Sequence, residues 1–223
     1  MRFHAEGWRV ITVSRTPPPD LCPWSRERTH ILLDLSDLDN VVRCIEIMRG
    51  MLVGGTLDAL VNNAGISPKG TGGARLDSLV TDVAMWQSMF NTNFYAPLLM
   101  TRGFATELAK ARGAVVNLTS IAASRVHPFA GSAYATSKAA LAALTREMAH
   151  DMAPMGVRVN AIAPGEIDTA ILAPGTPQIV ERDIPMHRLG TTAETADLIH
   201  FLCSERASYV TGVEIPINGG QHV

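Results

Sequence analysis

Tyr134 and Lys138 stand four residues apart in the stretch SAYATSKAA, a spacing that sets both side chains on one face of a helix. An ammonium near a phenol favours the phenolate and predicts a lowered tyrosine pKa. A tyrosine tuned in this way exchanges a proton with a carbonyl or an alcohol. Ser120 ends the run AVVNLTS upstream, placed for its hydroxyl to hold a substrate oxygen beside Tyr134, although on its own it is better explained as a cap or turn residue. Asn62, Asn63, Ala64 and Gly65 end another apolar run with small residues suited to close backbone approach by a flat ligand. Asn93, in NTNFYAP, is polar amid apolar neighbours and by itself equally explained as the residue of a helix kink.

These residues must be positioned by the elements around them. The runs 8–14, 30–35, 58–64, 114–120, 157–163 and 213–218 are short and rich in β-branched residues, and several are apolar on both alternating sets, as in parallel strands covered on both faces. Helices are predicted between them. Residues 37–49 carry Leu38, Val41, Val42, Ile45 and Met48 on one face, with Ser36 as N-cap and Gly50 as the stop. Residues 79–110 are predicted mostly helical with an irregularity near Pro97, and helices are expected over 132–152 and 193–204. Strands separated by helices make βαβ crossovers and an α/β, doubly wound parallel sheet, whose ligands sit at the carboxyl ends of the strands. Two segments break the rhythm: the proline-rich 16–24, and 165–190, predicted to be a lid in which Ile167, Ile171, Leu172, Ile179 and Met186 form an apolar wall.

The whole chain supports one such domain over 1–223. It has 223 residues, 47% hydrophobic, and 18% charged with a net charge of −2, which excludes wholesale disorder and a phosphate-binding basic face, so no nucleic-acid partner is expected. Cys22, Cys44 and Cys203 are odd in number and lack a CxxC spacing, which points to a reducing, cytoplasmic setting. No run of 18 apolar residues predicts a membrane span, and MRFHAEGWRV lacks the layout of a signal peptide.

In order and at near-family spacings, NNAG at 62–65, Asn93, Ser120, YxxxK at 134–138, APG at 163–165 with Thr169, and the closing TGVEIPINGG at 211–220 resemble the short-chain dehydrogenase/reductase family over nearly the whole chain. The resemblance implies a Rossmann-like fold and a nicotinamide-dependent oxidoreductase interconverting a secondary alcohol and a ketone, for example by 3-oxoacyl reduction. It implies Tyr134 as the acid/base, Lys138 as the residue that binds the nicotinamide ribose, Ser120 as the group positioning the carbonyl, and Asn93 as the holder of a relay water. Asn63, Ala64 and Gly65 would line the adenosine side, and Asp34 with Leu35 would meet the adenine. Pro164, Gly165, Ile167 and Thr169 would approach the nicotinamide. Homodimers or homotetramers are the family's usual assemblies, and no metal is implied. The stretch from Ser120 to Tyr134 is one residue longer than in common members.

Cofactor choice has a physical basis. An acidic residue ending the second family strand suits a ribose 2′-hydroxyl, whereas an arginine suits a 2′-phosphate. Here that position holds Ser14 and Arg15, with no carboxylate until Asp20, so NADP(H) is expected over NAD(H). The chain also departs from the family. Its opening strand and TGxxxGxG turn are missing, and MRFHAEG resembles the end of the first family helix. The expectation is that Met1 is an internal methionine of a longer protein, and that the sheet is left with two unpaired edges. The glycine-rich KGTGGAR at 69–75 is expected to be a loop.

Other classes compete for the same residues. A catalytically inactive nucleotide-sensing or scaffolding module is the alternative that the missing phosphate turn favours. A serine hydrolase built on Ser120 and His127 lacks a GxSxG elbow. His200 and Cys203 share a helical turn but have no further zinc ligands at the right spacing, so packing roles are expected. Met85, Met89 and Met100 are expected to fill gaps in the core.

Overall fold

Burial on both faces and β-branched composition make Ala114–Leu118 the centre of the sheet: all five residues are buried. The structure, a computed structural model, describes residues 1–18, 22, 29–169, 172 and 175–223. Asp20 and Ile171 lie outside the described residues, as does part of the proline-rich segment. Among the described residues the strands are β1 (Thr12–Ser14), β2 (His30–Leu32), β3 (Ala59–Asn62), β4 (Ala114–Leu118), β5 (Arg158–Pro164) and β6 (Glu214–Ile217), all paired in parallel. The helices are α1 (Arg2–Ala5), α2 (Leu38–Met51), α3 (Val83–Phe90), α4 (Ala96–Gly103), α5 (Ala105–Ala111), α6 (Ser132–Met152), α7 (Thr176–Asp183) and α8 (Thr192–Cys203).

The strands form two sheets, β1–β2 and β3–β4–β5–β6, with no strand pairing between them among the described residues. What joins them is apolar packing. One core cluster takes Ile31 from β2, Leu60 from β3, Val115 from β4 and Val159 from β5, together with Val41, Cys44, Ile45 and Met48 of α2. The other face buries Val116, Leu118 and Ile162 against Ile199, Leu202 and Cys203 of α8. At the register Asn62↔Asn117 two amides are buried between strands; Asn62 donates to Asn117 Oδ1 (2.8 Å), and Asn117 donates to Thr145 Oγ1 of α6 (2.9 Å), which satisfies both.

Several boundaries differ from the sequence expectation for local reasons. The first two strands are shorter than 8–14 and 30–35 because they pair only with each other over three residues; Trp8 instead sets its ring edge-on to Phe3 (5.2 Å) and His200 (6.0 Å). Asp37 rather than Ser36 caps α2, accepting from the Asp39 amide (3.0 Å), while the Ser36 amide donates to Asp34. Gly50 lies inside that helix, which runs on to Met51. The long helical stretch starts only at Val83, where Asp82 accepts from the Met85 amide (2.7 Å), and its irregularity is a π turn over Asn91–Tyr95. Pro97 follows in the first turn of α4, directly after the π turn. Residues 165–190, expected to lack periodicity, hold α7, and an isolated bridge between Ile167 and Gly190 ties the ends of the segment together. Met89 and Met100 are buried core residues, as expected. Among the described residues no helix is long and apolar enough to cross a membrane.

Candidate active site

The carboxyl ends of β3, β4 and β5 and the first turns of α6 enclose a cavity of about 520 Å³. Sheet geometry delivers its parts: strand ends supply Ser120 and Pro164–Gly165, and α6 supplies Tyr134 and Lys138 from one face. Ser120 is both things that its sequence context allowed. It caps a short turn by accepting from the Ala122 amide (3.2 Å), and its hydroxyl lies beside the Tyr134 phenol, where it favours the ionised form.

The electrostatics correct one expectation. Burial raises the Tyr134 phenol above the ordinary tyrosine value, opposed by Ser120 and reinforced by the negative charge of Glu166. Lys138 does not lower it here, because its ammonium lies 6.0 Å from the phenol ring centroid and donates to the Leu118 carbonyl (2.6 Å). Lys138 is 3% exposed, and burial pushes its own pKa down to about 8.

Asn93 sits in the π turn, fully buried. Its side chain accepts from the Ile66 amide (2.9 Å) and donates to the Ile66 carbonyl (3.1 Å) and Ser137 Oγ (3.0 Å). It therefore clamps the chain just after Asn63-Ala64-Gly65. A Cβ at Gly65 would stand 3.2 Å from Lys138 Nζ and 3.4 Å from Asn93 Oδ1, and one at Gly165 only 2.6 Å from Asn218 Cβ. Gly65 keeps the space beside the Lys138 ammonium open, whereas Gly165 lets the end of β5 approach Asn218 and Gln221 closely.

The cavity gathers Asn63, Gly65, Ser120, Tyr134, Lys138, Pro164, Gly165, Ile167 and Thr169 of the expected residues. Ala64 and Asn93 adjoin that lining without forming it. Ser14, Arg15, Asp34 and Leu35 belong instead to the ends of β1 and β2. There Ser14 Oγ donates to the Thr16 carbonyl (2.5 Å), Arg15 is exposed, and Leu35 packs on the larger core cluster. Asp34 is held below the usual carboxylate range chiefly by the Ser36 amide, with a contribution from Arg15. Among the described residues of the predicted lid wall, Ile167 and Leu172 line the cavity, whereas Ile179 is buried elsewhere at 3% exposure and Met186 is 58% exposed.

Sequence reasoning did not bring Lys69, His127 and Glu166 together in this cavity. His127 pairs with Glu166 (2.7 Å), not with Ser120, and Lys69 donates to the Phe129 carbonyl and Ser67 Oγ (3.3 Å) on the same side of the cavity. The available signal was a glutamate directly after Pro164-Gly165 and one lysine among only three.

A parallel sheet with Ser120, Tyr134 and Lys138 gathered at its carboxyl edge defines a class, and the chain belongs to the short-chain dehydrogenase/reductase family of oxidoreductases. Residues 1–222 match the family model described as enoyl-(acyl carrier protein) reductase. The chain is 54% identical over 223 residues to protein FixR of Bradyrhizobium diazoefficiens, covering 99% of this chain and 80% of that one. It is 37% identical over 174 residues to the 3-oxoacyl-[acyl-carrier-protein] reductase FabG of Aquifex aeolicus, of whose length it spans 65%. Among solved structures it resembles a Brucella ovis short-chain dehydrogenase/reductase in complex with a partially ordered NAD, with a TM-score of 0.83, 55% identity, and coverage of 97% of this chain and 91% of that one.

Proposed function

We propose that this protein interconverts a secondary alcohol and a ketone with a nicotinamide cofactor, NADP(H) in preference to NAD(H). The observation that carries the proposal is the convergence of Ser120, Tyr134 and Lys138 in one cavity. A nicotinamide cofactor would supply or accept the hydride. The residues present fit its nicotinamide-ribose end. Lys138 spends one of its three N–H donors on Leu118 and keeps the others for ribose hydroxyls, and Gly65 leaves the space beside that ammonium free of a side chain.

In reduction, Tyr134 donates its phenolic proton to the ketone oxygen, which Ser120 holds in place; in oxidation, the same oxygen of Tyr134 receives the proton of the alcohol. The raised phenol pKa keeps that proton in place until a substrate oxygen arrives. Asn93 holds the 63–66 segment in register, and through it the wall on which the cofactor lies. Arg15, exposed after β1, is the group that favours a 2′-phosphate. Relatives with NAD in their sites make this preference the part most exposed to test.

One domain, a homodimer or homotetramer in the cytoplasm, is the setting proposed for this activity, supported by three free thiols. The test is a fluorescence titration with NADPH and NADH, followed by a ketone screen. NADPH binding tighter than NADH, with turnover that falls by about 10²–10⁴ in Tyr134→Phe, is expected. Tighter NADH binding overturns the cofactor preference, and turnover that survives in Tyr134→Phe overturns the site. A well-folded protein that binds neither cofactor would favour the scaffolding alternative.

A further inference from the structure

Besides Ser120, Tyr134 and Lys138, the cavity is lined by three charged or ionisable residues that the proton transfer does not use, Lys69, His127 and Glu166. Glu166 is 9% exposed and its Oε1 is bound to His127 Nε2 (2.7 Å). His127 Nδ1 in turn accepts from the Phe129 amide (3.3 Å), so the ring carries its proton on Nε2, donates it to Glu166, and fixes the carboxylate in place. The second oxygen of Glu166 takes no protein donor among the described residues. Lys69 donates to the Phe129 carbonyl and to Ser67 Oγ, leaving one of its three N–H donors unspent. The two charges influence each other, for Glu166 favours the charged form of Lys69, yet they form no ion pair.

A cation and an anion facing one cavity without pairing impose a narrow chemical requirement. A lone carboxylate on the substrate would be repelled by Glu166, and a lone ammonium by Lys69. An aliphatic chain would leave the second oxygen of Glu166 and the unspent N–H of Lys69 without partners, which is costly. A hydroxyl meets the requirement, since it accepts from an ammonium and donates to a carboxylate at the same time. Lys69 and Glu166 line the same cavity of about 520 Å³ as Ser120 and Tyr134, which places this pair within one small molecule's reach of the reacting carbonyl. We infer that Lys69 and Glu166, with His127 as a positioning residue, form a hydroxyl-recognition station, and that the substrate is a polyhydroxylated ketone or alcohol rather than one with an unsubstituted aliphatic chain. This rests on the carbonyl–alcohol reading of the Ser120–Tyr134 side.

The test uses the full chain and two four-carbon ketones, L-erythrulose and 2-butanone, each assayed with NADPH and with NADH. The wild-type protein is expected to favour erythrulose by at least about 100-fold in kcat/KM, since a site built to bond a hydroxyl rejects the analogue lacking it. In Glu166→Gln and Lys69→Met that preference is expected to fall at least about tenfold, the strength of one hydrogen bond to a charged group. Saturation-transfer NMR with erythritol reads binding without turnover, and the same variants should weaken it. Equal use of the two ketones, or a preference for butanone, overturns the station, and the wild-type ratio decides this even if a variant fails to fold. Erythritol binding that depends on Lys69 and Glu166, without turnover of any ketone, upholds the station and overturns the redox reading. Absence of both binding and turnover overturns the station.

Discussion

Lys138 is a cation held inside the protein by a single carbonyl, and its depressed pKa is a statement about stability as well as chemistry. Between about pH 8 and the ordinary lysine value of 10.5 the unfolded chain binds a proton that the folded chain has released, so this group favours folding increasingly as pH rises through that window. Cys44 and Cys203 act in the opposite direction. Burial pushes their thiols up to about 11 and about 12, so they favour folding below pH 9 and lose that contribution above it. The difference between wild type and Lys138→Met isolates the lysine. Urea titrations from pH 8 to 10.5 should show wild type gaining about 3 kcal/mol relative to the variant, since each pH unit crossed in that window adds about 1.4 kcal/mol. A difference independent of pH would mean that Lys138 is solvated. Below pH 8 the buried charge is retained at full cost, in keeping with the ribose-binding role proposed for this residue.

At the scale of elements, the π turn and the two walls of the cavity have assignable energetics. Asn93 makes three hydrogen bonds from a buried position, two of them to the Ile66 backbone, and Asn93→Ala would leave those groups without partners. A loss of about 1–3 kcal/mol in denaturant stability is expected, with a further loss of kcat/KM as the 63–66 segment shifts. Gly165 is different, because the fault there is overfilling. A Cβ would sit 2.6 Å from Asn218 Cβ and 2.7 Å from Gln221 Oε1, while the Gly165 amide must still reach the Ile217 carbonyl (3.0 Å). Gly165→Ala should cost about 1–3 kcal/mol and should weaken cofactor binding, measured by the same fluorescence titration. An unchanged affinity would separate the β5–β6 junction from the cofactor wall. The segment after β5 is packed similarly: Gly175 approaches the Phe129 ring so closely that a Cβ would meet Cζ at 2.2 Å.

For the whole molecule, the division of the sheet is the property with the largest consequence. β4 is buried along its length and flanked on both sides, whereas β1 and β2 have three residues each, mostly half-buried, and pair only with one another. Their attachment to the rest is side-chain packing through α2 and the shared core cluster. Native-state hydrogen exchange should therefore find the amides of Val115–Leu118 protected up to global unfolding and those of Thr12–Ser14 and His30–Leu32 opening orders of magnitude faster. Uniform protection across both sheets would show that packing alone holds β1–β2 as firmly as a full ladder. The proposed NADP(H) preference rests on the same region, since Arg15 directly follows β1.

Much of this protein was determined by local rules that act along the chain. The period of 3.6 put Tyr134 and Lys138 on one face of a helix running over Ser132–Met152, the predicted span, and short β-branched runs, several apolar on both faces, marked the parallel strands. Capping and pairing were legible only approximately, because Asp37 and Ser36 are both competent caps and strand length depends on the neighbour available. The site divided along the same line. Ser120, Tyr134 and Lys138 could be found because their spacing within one strand–helix unit carries the chemistry. The partnership of His127 with Glu166 spans 39 residues, and Lys69 reaches Phe129 across 60; no periodicity encodes such contacts. The tyrosine pKa was likewise decided by tertiary structure. Sequence proximity to Lys138 predicted a lowered value, but burial acts on the phenol at full strength while the ammonium is turned to Leu118, so desolvation wins. Backbone periodicity follows from chemistry that each residue carries with it, whereas dielectric, charge pairing and the room beside a glycine exist only once distant segments have met.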